Sequence, residues 1–175
     1  MIKALRLLAV GLALSALAAC AVATRIDAAG DVHAFLVSIR DGDRSTFDAH
    51  VDRGALKEQV RARLMAEAAK RHDDRGDMAA IGVLLCRPVI DAMADRLIEP
   101  DVFRAVAEYF GYSAQTPIPG QLTIAQALRP LDDSHVCVAR KKDAPCILIF
   151  RYEDGVWRLI SFEGDPKMLK MPKSF

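Results

Sequence analysis

The sequence has no excess of charge of one sign: 24 basic residues stand against 23 acidic ones. Without Met1 to Ala19, which carry Lys3 and Arg6, the balance is 22 against 23. Such a chain has no bulk field with which to recruit nucleic acid or anionic headgroups. Its local basic clusters, Arg140-Lys141-Lys142 and Lys167, Lys170 and Lys173, read as solvated turn and tail residues. The recurrent catalytic signatures are missing too. His33, His50, His72 and His135 form no pair at metal-ligand spacing, and there is no H-E-x-x-H, so no metal is expected. There is no G-x-S-x-G elbow, no G-x-G-x-x-G and no C-x-x-C. These absences remove the usual routes to acyl transfer, dinucleotide binding and dithiol catalysis, and no cofactor follows from the sequence.

What is present begins with an address. Lys3 and Arg6 form a short positive region, and Leu7 to Leu17 is an apolar run too short for a stable span, which needs about 20 residues. The run ends in Leu17-Ala18-Ala19-Cys20, which resembles the bacterial lipobox. That resemblance implies cleavage before Cys20 and diacylation of its thiol, two or more chains being what stable anchoring needs. Residue 21 is Ala, not the Asp of an inner-membrane retention signal, so the resemblance implies the outer membrane facing the periplasm. Ala21-Val22-Ala23 before Thr24 also fits a signal-peptidase site and would give a soluble periplasmic or secreted product. The expected organisation is a signal peptide at 1–19, a lipidated N-terminus and tether at 20–30, one domain at 31–165 and a tail at 166–175.

With 52% hydrophobic residues in 175, the chain has enough material for one real core. Asp31 is placed to cap a helix in which Val32, Phe35, Leu36 and Ile39 share a face. Gly42 supplies the stop, Asp43 caps a second short helix, and Phe47 and Val51 form its buried side. Leu56, Val60 and Leu64, widened by Met65 and Ala68, predict a longer amphipathic helix. Met78 to Ile98 is the most hydrophobic stretch, with a break expected near Arg87 because Pro88 lies within it. Pro100 restarts a helix whose inward residues are expected to be Val102, Val106 and Phe110. After the turn-rich Gly111 to Gly120, Thr123 to Leu128 is one more short helix, which Pro130 ends.

The period then changes. Ser134 to Arg140, Cys146 to Tyr152 and Val156 to Phe162 read as an antiparallel meander of about three strands, with turns at Lys141 to Ala144 and Glu153 to Gly155. The fold class is α+β, helices packed on that meander. A two-residue turn at Lys141-Lys142 makes paired residue numbers add to 283 and sets Cys137 opposite Cys146, where an oxidising compartment would close a disulfide. A longer loop shifts the register and separates them. Cys86 is then a buried free thiol.

Two stretches together resemble the bacterial DUF2939 proteins. One runs from Ile39 to Asp52, a helix followed by GD, a short helix and VD. The other is the run ADRLIEPDVFRAV that ends at Val106, and Trp157-Arg158-Leu159 closes the last strand. The sequence departs from that pattern at Arg53. The resemblance implies a small envelope-associated protein and carries no activity with it. The helices-then-sheet order is also similar to NTF2-like folds, which implies a fold and not a function.

The expectation is therefore a lipid-anchored envelope protein that is a non-catalytic binding or structural module, reaching the membrane through Cys20. It would hold an envelope protein or an apolar ligand between helices and sheet. Leu84, Leu85, Met93, Phe103, Phe110 and Trp157 are the candidate lining of a pocket or core. The alternative is a small NTF2-like pocket enzyme, a hydrolase or isomerase, using an Asp such as Asp43 or Asp52 with a histidine. The acidic cluster Asp41, Asp43, Asp48 and Asp52 reads more simply as caps and solvated faces.

Overall fold

The computed structural model describes residues 2–72, 87–109, 111–139 and 144–163. Among them are six helices and a four-stranded sheet. The helices are α1 (Ile2–Asp41), α2 (Arg44–Ala49), α3 (Arg53–His72), α4 (Arg87–Leu97), α5 (Pro100–Tyr109) and α6 (Gln121–Ala127). The strands β1 (Leu128–Pro130), β2 (His135–Ala139), β3 (Cys146–Glu153) and β4 (Val156–Phe162) form one antiparallel sheet in the order β1-β2-β3-β4. The class is α+β.

The bend after α1 follows from its chemistry. Gly42 takes a φ of +70°, which only glycine adopts without strain, and the Asp43 N–H closes back on the Ser38 carbonyl at 2.9 Å. Asp43 then caps α2 by accepting from the Thr46 N–H at 3.1 Å. Phe47 and Val51 are buried as the spacing predicts. At the far end, β3 and β4 are joined through Asp154-Gly155, both at positive φ, the hairpin turn whose twist suits the flanking strands.

The core is aromatic at its centre. Phe35 packs on Phe47, Phe103 and Phe150 with ring centroids 5.6, 6.1 and 5.7 Å away, and Phe103 reaches Phe162 at 6.1 Å. Leu56, Ile98, Leu128, Val136 and Leu159 surround them, fully buried. The inward side of α5 is thus Phe103. Val106, one turn further on, is exposed.

Other expectations are corrected in α1 and in the strand register. Asp31 caps nothing, and residues 20–30 are no loose tether: α1 runs unbroken through them, and Ala28 and Ala29 are core residues. A mid-helix glycine such as Gly30 costs only about 1 kcal/mol, which packing on both sides offsets. The three expected strands of the meander are present, and Leu128–Pro130, too short to show a period of its own, adds a fourth. The β2–β3 register pairs Cys137 with Ile149, not with Cys146. Ile147 is an extra residue in β3, and this bulge draws Cys146 back beside Ala139. A disulfide joins Cys137 to Cys146 with their Cα atoms 5.6 Å apart, across a longer loop than the two-residue turn. Leu84, Leu85, Cys86, Phe110, the turn at 140–143 and the tail from 164 lie outside the described residues.

Candidate functional site

Among the described residues, most of the polar contacts that join the helical half to the sheet fall on the outer edge of β4. A strand edge carries backbone groups that must find partners, and here the helical half supplies them. The Trp157 N–H donates to Asp31 Oδ2 at 2.8 Å, and its indole Nε1–H donates to Asp27 Oδ2 at 2.8 Å. Asp27 and Asp31 lie one turn apart on α1, so both face the same side of the helix. Further along the strand, the Leu159 N–H donates to the His50 carbonyl at 2.9 Å and the Leu159 carbonyl accepts from the Asp52 N–H at 3.0 Å. At its end, the Gln59 side-chain amide stands in for a missing strand. Its Oε1 accepts from the Phe162 N–H at 3.1 Å while its Nε2 donates to the Phe162 carbonyl at 3.0 Å. Arg63 donates to the same carbonyl at 2.8 Å.

His50 sits inside this seam, its side chain 12% exposed. Nδ1 lies 2.7 Å from the Thr46 carbonyl, an atom that only accepts, so Nδ1 carries a hydrogen. Nε2 faces Asp31 Oδ1 at 3.5 Å. The histidine's carboxylate partner is thus Asp31, not Asp43 or Asp52. Asp43 is spent on capping α2, where the Thr46 hydroxyl and N–H hold its carboxyl below the ordinary range. Asp52 accepts from the Ala55 N–H at 2.9 Å and from Arg151 at 2.9 Å. Asp41 and Asp48 pair with Arg40 and Arg53. The acidic cluster is therefore distributed over separate local contacts. Among the described residues no group of three His, Cys, Asp or Glu side chains gathers to hold a metal ion.

Of the candidate lining, Trp157 and Phe103 pack in the core, and Met93 is half exposed on α4, whose Ala94 is buried along with Ile98 just after the helix. An open depression lies elsewhere, lined by Arg44, Asp95, Arg96, Glu99 and Asp101 among others. Most of these charges already have partners. Arg53 to Glu99 (3.7 Å), Lys57 to Asp95 (2.8 Å) and Arg61 to Asp91 (2.5 Å) form an antiparallel ladder stepping four residues at a time along α3 and along α4, with Glu99 just beyond its end. Asp91 raises the Arg61 guanidinium further above its ordinary range. Sequence reasoning missed this ladder, although both four-residue repeats were there to be read.

The helical half is also what the comparison with known families matches. The profile described as "Protein of unknown function (DUF2939)" matches residues 10–106, which run from α1 into α5. The chain belongs to the DUF2939 family. No curated protein and no solved structure matches it. The DUF2939 match holds Asp27, Asp31, His50, Asp52 and Gln59, the helical side of the seam, and stops before the strand they close. Among the described residues no helix is long and apolar enough to cross a membrane.

Proposed function

We propose that this DUF2939 protein is a lipid-anchored bacterial cell-envelope protein, carried at Cys20 on the periplasmic face of the outer membrane. There it acts as a non-catalytic binding or structural module. The observation that carries the reading is where burial starts. Among the side chains described, which start at Val22, those of α1 turn buried at Ala28 and Ala29, and Asp27 accepts from the Trp157 indole, so the core contacts described on α1 all lie after Cys20. The Cys137–Cys146 disulfide supports an oxidising compartment. The aromatic packing around Phe35 supports a module that works through its surface. In fold, the reading extends to an NTF2-like arrangement of helices on a sheet.

The test is the intact mass of the mature protein from the membrane fraction, with and without thiol alkylation. The expected product starts at Cys20, carries a diacyl or triacyl adduct and alkylates once, at Cys86. A bare chain starting at Thr24 overturns the anchor.

A further inference from the structure

The helix between Cys20 and the core has an unusual surface for a segment read as a spacer. α1 is continuous from Ile2 to Asp41, so the eight steps from Cys20 to Ala28 cover about 12 Å at 1.5 Å each, with no slack. Val22 and Ile26, one turn apart, are 53% and 57% exposed. Arg25 lies three residues after Val22 and so flanks the Val22–Ile26 stripe on one side. The Arg25 Nε is shielded from solvent and has no hydrogen-bond partner. Two exposed aliphatic side chains with an arginine whose stem is apolar and whose head is cationic make the pattern of a segment seated at a lipid–water boundary.

We propose that residues 22–26 form a collar docked on the phospholipid bilayer, with Val22 and Ile26 entering the boundary between headgroups and acyl chains and the Arg25 guanidinium meeting a lipid phosphate. This rests on the lipoprotein reading above, because the acyl chains on Cys20 are what bring the collar to the surface. The charge is complementary: a single cation suits a phosphate, and the near-neutral remainder of the chain adds no competing field. The consequence is mechanical. A domain held by a rigid helix of about 12 Å has a fixed face toward the membrane and reaches only partners that come to that membrane. A flexible tether of the same length would let it roll.

The experiment uses the processed protein, purified from a bacterial host with its acyl adduct verified by mass. It is placed in nanodiscs of phosphatidylethanolamine and phosphatidylglycerol, with Val and Ile methyl groups labelled for NMR and a nitroxide near the top of the lipid acyl chains. Val22 and Ile26 methyl signals are expected to broaden beyond detection, while those of the buried Val136 and Ile98 remain. Sharp Val22 and Ile26 signals on verified acylated protein overturn the collar and leave the anchor standing. Absence of the adduct removes the anchor and the collar with it. Arg25→Gln, with Val136 and Ile98 unshifted as proof of fold, is expected to restore part of the Ile26 signal. An Arg25→Gln protein that broadens like the parent overturns the phosphate contact.

Discussion

Two seams hold the helices of this protein in place, and they are built on opposite principles. The α1–β4 seam uses few side chains, each aimed at backbone or indole groups that have no other partner. The α3–α4 ladder uses three ion pairs, each partly in water. Asp31 meets a strand N–H beside a tryptophan that is 2% exposed. Lys57 meets Asp95 with about a third and a half of their side chains exposed. An exposed ion pair contributes about 0–1 kcal/mol, because solvent screens it and two long side chains lose freedom. A shielded donor left without its acceptor costs about 1–3 kcal/mol. The lesson is that the seam built of formal charges is the weaker one. The ladder sets which residues face each other, and the β4 edge sets whether the two halves stay together.

The upper limit for either seam is the core beneath them. Phe35→Ala removes the ring that touches Phe47, Phe103 and Phe150, and the cost of such a cavity is about 3–5 kcal/mol. Urea unfolding followed by fluorescence of the sole tryptophan reads it as a lower midpoint with the slope retained. A loss under 1 kcal/mol would mean that the aromatic cluster is not the centre. Asp31→Ala comes next, at about 1–3 kcal/mol, since it strands the Trp157 N–H. Hydrogen exchange sharpens that figure: the Trp157 amide and the Leu159 edge are expected to lose protection while β2 keeps its own. Uniform loss across the sheet would show that Asp31 acts on the whole fold and that the seam is not a local device.

How far these features were legible in the sequence follows the same division. Gly42, the Asp43 cap, Phe47, Val51 and the Asp154-Gly155 turn depend on neighbours within a few residues, and the reading found each of them. The start of the domain was misread because Gly30-Asp31 has the local look of a helix beginning. What decides the matter is a strand more than a hundred residues away, which claims Asp27 and Asp31 as acceptors. The cysteine register failed for a related reason. Counting across the hairpin assumes a two-residue turn, whereas β2 ends at Ala139 and β3 starts at Cys146, and the bulge at Ile147 shifts the pairing by one more residue. Three residues, Leu128 to Pro130, are too few for a period of two to be seen. As for the site, His50 was among the histidines considered, yet its partner Asp31 is brought to it only by the packing of α1 against α2.

The ladder is tested by exchange of charges. Lys57→Glu alone places like charges opposite Asp95 and is expected to cost about 1 kcal/mol or less, fading in high salt. Adding Asp95→Lys is expected to return most of that loss at low salt. A double variant no better than the single one, in thermal unfolding at both salt levels, would falsify the pairing. A loss well above that limit would place the ladder on a par with the β4 edge and undo the contrast between the two seams.

The smallest effect expected belongs to a turn that neither seam touches. Asp132 accepts from the Ser134 N–H at 2.8 Å and from the His135 ring at 2.9 Å, and these contacts lower its carboxyl from 3.8 to about 2. A carboxyl that titrates lower in the folded protein than in the unfolded chain stabilises the fold above the unfolded value. That contribution shrinks as pH falls from about 4 and is gone below about 2. The group is solvent-exposed, so the effect is local: the Ser134 amide shift, followed by NMR from neutral pH downward, is expected to move with a midpoint near 2. Asp132→Asn is expected to erase that titration and leave the Trp157 and Leu159 amides where they were. A midpoint near 4 in the parent would mean that Asp132 is not held by Ser134 and His135. A shift at Trp157 in the variant would mean that the turn and the β4 edge are coupled, so that polar contacts of this protein act on one another across the width of the sheet.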